Sequence, residues 1–261
     1  MSRTWDAHAY DRVAAPLTAM GVAVLDRLDL SGDETVLDAG CGTGRVTAAL
    51  VPRLPRGHII AVDSSPAMVE TARANLPASV EVREADLLTI GVERPVDAIA
   101  STATFHWILD HDGLFGRLFA ALRPGGVLVA QCGGAGNLAR VLAAASAVAG
   151  TEPFAPHIAG FTRPTNYATA EETAARLAQA GFIDIDCRLT PTPVAPDDPD
   201  AFLRTINLGP HVQRLPAGLV DPFVGEVIAR LGDPVTLDYV RLDIDARRPY
   251  GEDDLVHDLE G

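Results

Sequence analysis

Apolar positions along this chain change their spacing several times, and each change marks an element. Residues 1–30 place apolar side chains every three or four positions, at Val13, Leu17, Met20, Val24 and Leu28, which predicts an amphipathic helix. From residue 35 the pattern turns to short unbroken runs, Thr35-Val36-Leu37, His58-Ile59-Ile60-Ala61-Val62 and Val96-Asp97-Ala98-Ile99-Ala100-Ser101, as expected of strands covered on both faces. Helical stretches fall between them, near Pro66 to Asn75 and Asp112 to Leu122. Beyond residue 132 the pattern predicts helices over 137–149 and 168–180, a strand from Phe182 to Leu189, and a last strand from Leu237 to Ala246. A chain that alternates in this way builds a doubly wound, mostly parallel sheet with helices on both faces.

The first apolar run leads into Asp38-Ala39-Gly40-Cys41-Gly42-Thr43-Gly44, followed by the helical pattern Arg45 to Leu50 that Pro52 limits. Glycines at a strand-to-helix turn take positive φ and let a ligand lie against the backbone, with helix amides facing it. The second run ends in Asp63, a little over twenty residues after the turn begins, where an acid accepts hydrogen bonds from both hydroxyls of a ribose. The spacing G-x-G-x-G differs from the dinucleotide fingerprint G-x-G-x-x-G, whose third glycine would fall at Arg45. That argues against a pyrophosphate and hence against NAD or FAD.

Asp38 to Gly44 resembles motif I of the class I S-adenosylmethionine-dependent methyltransferases. Three later segments are similar to that family as well: Val62-Asp63-Ser64-Ser65-Pro66-Ala67-Met68, Ala85-Asp86-Leu87, and Leu122-Arg123-Pro124-Gly125-Gly126-Val127-Leu128. With Trp5-Asp6-x-x-x-Tyr10-Asp11 and Phe105-His106-Trp107, the pattern looks most like the branch of trans-aconitate 2-methyltransferase-like and malonyl-carrier-protein methyltransferase-like enzymes, over roughly residues 5 to 132. The resemblance implies an α/β, Rossmann-like, seven-stranded sheet whose last strand lies antiparallel between the fifth and sixth. It implies S-adenosyl-L-methionine as cofactor, contacted by Tyr10, Asp38, Gly40, Gly42, Asp63, Ser64, Met68, Asp86, Leu87 and Thr102. One domain is expected over 1–261: a lid helix in 1–30, a cofactor-binding core over 31–132, and a substrate cap from 150–166 and 191–233, the two stretches whose proline, glycine and phenylalanine escape the regular pattern.

Charge narrows the class of acceptor. The formal net charge is −14 and all 21 basic residues are arginine, with no basic stripe interleaved with aromatics, so a small molecule is expected rather than nucleic acid. No apolar run approaches the roughly 20 residues a membrane span requires, and no signal-peptide pattern opens the chain. Three widely spaced cysteines, Cys41, Cys132 and Cys187, suit a reducing, cytoplasmic setting and show no metal spacing. A monomer or homodimer is expected.

Methyl transfer from a sulfonium needs alignment and exclusion of water more than acid–base chemistry. A carboxylate acceptor requires no base, whereas hydroxyl, amine or carbon acceptors often benefit from one. His106, just beyond the fourth strand, is the candidate base; the competing reading packs it beside Trp107 or uses it to orient the cofactor. Trp107 is a candidate aromatic wall near the sulfonium, and Arg163 and Arg204 are candidate clamps for an acidic substrate, as is Arg214. His157 and His211 lie in the same cap segments. The expected reaction is O-methylation of a carboxylate or hydroxyl, with C-methylation, or cofactor binding without transfer, as the alternatives.

Overall fold

A computed structural model describes residues 15–251; Tyr10 and the rest of 1–14 lie outside the described residues. Seven strands form one sheet in the order β3-β2-β1-β4-β5-β7-β6. They are β1 (Thr35–Ala39), β2 (His58–Asp63), β3 (Val80–Glu84), β4 (Val96–Thr102), β5 (Leu122–Gly133), β6 (Ile183–Pro191) and β7 (Val240–Arg247). β1 to β5 pair in parallel and β7 runs antiparallel to both β5 and β6, as the resemblance implied. The order reverses between β1 and β4, so the crevice for a ligand opens beyond the carboxyl ends of these two strands.

The apolar runs are explained by two-sided burial. Leu37 joins Ile60, Ile99, Leu114, Phe115 and Leu118 in one core cluster, while its neighbour Val36 points the other way, to Val24, Leu25, Leu50 and Leu76. The helix Pro66–Asn75 has the predicted bounds and His111–Ala121 begins one residue earlier than predicted. After the glycine turn the helix is shorter than the pattern suggests. A single turn, Thr47–Leu50, gives way to a 3₁₀ turn, Val51–Arg53, that carries Pro52. The last strand starts at Val240 rather than Leu237, because Leu237 instead makes an isolated bridge to Val194.

The described part of the N-terminal segment, Ala15–Leu25, is a packed helix. It buries Val24 and Leu25 against the sheet and rests Leu17 and Met20 on the cap. The two expected cap segments, 150–166 and 191–233, share an apolar core, which joins Phe154 and Ile158 to Phe202, Leu203 and Phe223. It also draws in the helix Ala139–Ala149, through Val141, Ala145 and Val148, a helix the sequence pattern assigned to neither cap segment. Among the described residues no helix is long and apolar enough to cross a membrane, and no group of three or more His, Cys, Asp or Glu side chains is placed to hold a metal.

Candidate active site

Backbone hydrogen bonds fasten the glycine turn to the neighbouring strand. The Gly40 and Cys41 N–H groups both donate to the Val62 carbonyl, at 2.8 and 2.9 Å, and Asn75 Nδ2 donates to the Thr43 carbonyl at 2.9 Å. All three glycines have positive φ, +93° at Gly40, +55° at Gly42 and +84° at Gly44, but for different reasons. A Cβ on Gly40 would fall on the Thr104 side chain and one on Gly44 would press into Leu76, whereas one on Gly42 meets nothing within 4 Å. Only Gly42 thus offers a bare backbone surface to a ligand; the other two serve the turn itself.

Asp63 closes this cradle. Its Oδ2 accepts the Gly42 N–H at 3.0 Å and its Oδ1 the Ser65 N–H at 2.8 Å, which leaves lone pairs on both oxygens for further donors. Burial raises its pKa while these N–H groups pull the other way. Asp38 is buried beneath, its Oδ2 accepting from Thr47 Oγ1 at 2.6 Å. Burial, with the nearby Asp63 charge adding to it, pushes its carboxyl up to about 6. Ser64 is exposed, and Ser65, at the N-terminus of Pro66–Asn75, makes no side-chain cap bond; its backbone serves Asp63 instead.

The remaining expected cofactor contacts lie along the same sheet edge. The Ala85 N–H donates to the Asp63 carbonyl at 3.0 Å, which holds the segment after β3 beside the acid. Asp86 is exposed and turned by a bond from the Leu88 N–H to its Oδ1. Leu87 and Met68 are buried, and Thr102 is half-buried at the end of β4.

Beyond β4 the chain takes a strained step, Ala103 at φ +55°, and enters the 3₁₀ turn Phe105–Trp107. Here a small cavity of about 40 Å³ opens between sheet and cap, lined by His106, Trp107, Arg163, Tyr167, Asn207 and Arg241 among others. His106 Nδ1 accepts the Gly133 N–H at 3.2 Å, so the neutral ring carries its proton on Nε2. The ring stacks on Tyr167, with centroids 5.7 Å apart.

Arg163 is buried, 8% exposed. Its Nη1 donates to the Asn207 carbonyl at 3.1 Å and its guanidinium lies over Trp107, 4.4 Å from the ring centre. Its Nε has no partner, and no carboxylate of the described residues pairs with it; burial lowers its pKa. Asn207 ends the π-helical turn Leu203–Asn207, a geometry frequent at functional sites. Its Nδ2 donates to Tyr239 Oη at 2.9 Å, whose phenol burial pushes up to about 12. Arg241 lies over Tyr239, 4.5 Å from its ring centre.

The structure thus brings His106, Trp107 and Arg163 to one cavity and separates Arg204 from it. Arg204 is held within the cap by ion pairs to Asp200 and Asp221, at 3.0 and 2.8 Å, so its charge is already answered. Arg214 is exposed over Phe161 and His157 is exposed. His211 stacks on Phe223 inside the cap core, where burial drives it down to about 4. Sequence reasoning missed Tyr167, Asn207, Tyr239 and Arg241, which no local motif announces.

Residues 36–126 match the family described as a methyltransferase domain. The trans-aconitate 2-methyltransferase of Azoarcus sp. is 42% identical over 128 residues, 49% of this chain and 50% of that protein. The one of Methylobacterium nodulans is 35% identical over 182 residues, 68% of each. Phosphoethanolamine N-methyltransferase 2 of Haemonchus contortus, solved with phosphomonomethylethanolamine and S-adenosylhomocysteine, shares the fold: TM-score 0.62 at 19% identity, covering 93% of this chain and 57% of that one. The chain belongs to the class I S-adenosylmethionine-dependent methyltransferases. Its alignment spans about half the length of the Azoarcus relative. S-adenosylmethionine fits the turn, since the open face of Gly42 is a cradle that a Cβ would fill and Asp63 keeps acceptor lone pairs beside it.

Proposed function

We propose that this chain transfers a methyl group from S-adenosylmethionine to a carboxylate oxygen of a small acid held in the cavity between sheet and cap. The observation that carries this reading is Arg163, a guanidinium buried without any carboxylate of the described chain to neutralise it. A buried unpaired charge is costly, and a substrate carboxylate removes that cost. In a protein of net charge −14, such a cation is a specific point of attraction for an anion in an otherwise repulsive field.

The cofactor supplies an electrophilic methyl on positively charged sulfur, which keeps the C–S electron pair as a neutral thioether while the acceptor oxygen gains the methyl. No proton moves when that oxygen belongs to a carboxylate. This agrees with His106, whose Nδ1 is engaged by the Gly133 N–H and which therefore offers a fixed Nε2–H rather than a basic lone pair. On this reading His106 is a positioning residue. A hydroxyl or carbon acceptor would need a base that His106 in this tautomer does not provide. Trp107 and Tyr167 wall the cavity and exclude water around the carboxylate. The carboxylic acid in the relatives' names points the same way, and three free cysteines support a cytoplasmic setting.

Calorimetric titration with S-adenosylmethionine, S-adenosylhomocysteine and NAD tests the first half: the first two bind and NAD does not. Incubation with small carboxylic acids, trans-aconitate included, tests the second, and methyl esters cleaved by mild base are the expected products. Methylation confined to hydroxyl or carbon positions overturns the carboxylate assignment, and binding of NAD alone overturns the whole reading.

A further inference from the structure

The cavity's polar groups specify more than negative charge. Three buried side-chain atoms facing this region have no partner among the described residues: Arg163 Nε, Tyr167 Oη and Asn207 Oδ1. They differ in kind. Arg163 Nε–H can only donate, the Tyr167 hydroxyl can donate or accept, and Asn207 Oδ1 can only accept. The Asn207 amide donates through Nδ2 to Tyr239 Oη at 2.9 Å, and Oδ1 at its other end is the atom without a partner. Asn207 is 1% exposed, so water does not satisfy this oxygen from bulk, and the π-helical turn Leu203–Asn207 holds it in place.

An acid made only of acceptors satisfies Arg163 and Tyr167 but sets a lone pair against Asn207 Oδ1. We infer that the acceptor of this enzyme is a small carboxylic acid that also carries a hydrogen-bond donor, a hydroxyl or an amide N–H, with Arg163 and Tyr167 taking the carboxylate and Asn207 Oδ1 taking the donor. The inference rests on the carboxylate reading above and narrows it. A site whose buried acceptor is matched by one ligand and left empty by its analogue discriminates strongly between them.

The test uses acids matched in skeleton: 3-hydroxybutyrate against crotonate, and malate against fumarate. Each is titrated calorimetrically into the full chain with S-adenosylhomocysteine present, and each is assayed for methyl ester formation with S-adenosylmethionine. The donor-bearing member of each pair is expected to bind at least about tenfold more tightly and to be methylated faster. Asn207→Leu shrinks the difference within each pair, and Asn207→Gln, which keeps an amide oxygen, restores part of it. Equal or reversed affinities within the pairs overturn the inference while leaving carboxylate methylation standing. If no acid binds although S-adenosylhomocysteine does, the carboxylate reading fails and this inference fails with it.

Discussion

Replacing Arg163 by Met separates a binding role from a structural one, because the two predict opposite changes in stability. Two interactions are lost, the Nη1 bond to the Asn207 carbonyl at 3.1 Å and the stacking over Trp107 at 4.4 Å, and the unpartnered Nε–H goes with them. The first loss leaves a buried carbonyl unsatisfied, at about 1–3 kcal/mol, and the second is about 0.5–2 kcal/mol. Against these stands relief from burying a guanidinium with no counter-charge, an effective several kcal/mol. The sum is close to zero or favourable, so the ligand-free variant should unfold within a few degrees of the wild type, or above it. A bound carboxylate, by contrast, loses charge-assisted hydrogen bonds of about 1.5–3 kcal/mol, roughly a 10- to 150-fold weaker affinity. Thermal unfolding without ligand, calorimetry with S-adenosylhomocysteine, and acid-dependent kcat/KM together read out the three effects. The reasoning is refuted if Arg163→Met keeps acid turnover within threefold of the wild type, or if it collapses the fold and cofactor binding together.

Three further outcomes are expected. Gly42→Ala folds at a cost of about 1–2 kcal/mol for a left-handed alanine yet loses cofactor affinity, whereas Gly40→Ala, whose Cβ falls on Thr104, loses stability first; comparing Tm with calorimetric affinity for both shows whether the two glycines differ in role. Asp63→Ala removes the acceptor for the Gly42 and Ser65 N–H groups and weakens S-adenosylmethionine binding by about 1–3 kcal/mol, and unchanged affinity in a folded variant would contradict the assignment. Asp38 has its folded pKa raised from 3.8 to about 6, so its stabilising contribution is full below the unfolded value and is lost as pH rises through about 6. Asp38→Asn should therefore be more stable than the wild type at pH 7, by about 3 kcal/mol for a shift of roughly two units, with the gap closing toward pH 4. Denaturant titrations across that range check this, and a gap that is constant or widens at low pH speaks against it.

The parallel half of the sheet was readable because its strands are buried on both faces and so appear as unbroken apolar runs, of which His58–Asp63 is the plainest. The glycine turn was readable for a related reason: backbone geometry at Gly40, Gly42 and Gly44 demands a residue type, and residue type is what a sequence displays. It did not display that only one of the three faces open space, since that depends on Thr104 and Leu76, distant in sequence. The acceptor cavity was mostly hidden. Asn207 comes from a cap segment, Tyr167 from just beyond one, and Tyr239 and Arg241 from either side of the start of β7, and no short-range pattern joins them. Arg204 shows the opposite failure. Its partner Asp200 sits four residues earlier, a spacing at which helical side chains meet, and that signal was available to set it aside.

The direction of β7 has a consequence for recombination. Gly133, the last residue of β5, pairs with Arg241 near the start of β7, and β6 is an edge strand whose pairing is to β7. Residues 134–240 therefore branch from β5 and return into β7 at one point of main-chain register, carrying the helix Ala139–Ala149, Arg163, Tyr167, Asn207 and Tyr239 with them, together with β6, which pairs along β7. A chimaera that exchanges this segment between two such chains, joined at Gly133 and Arg241, would transplant one acceptor preference onto another enzyme's glycine turn, and its success would hinge on keeping both β5 and the transplanted β6 in step with the host's β7.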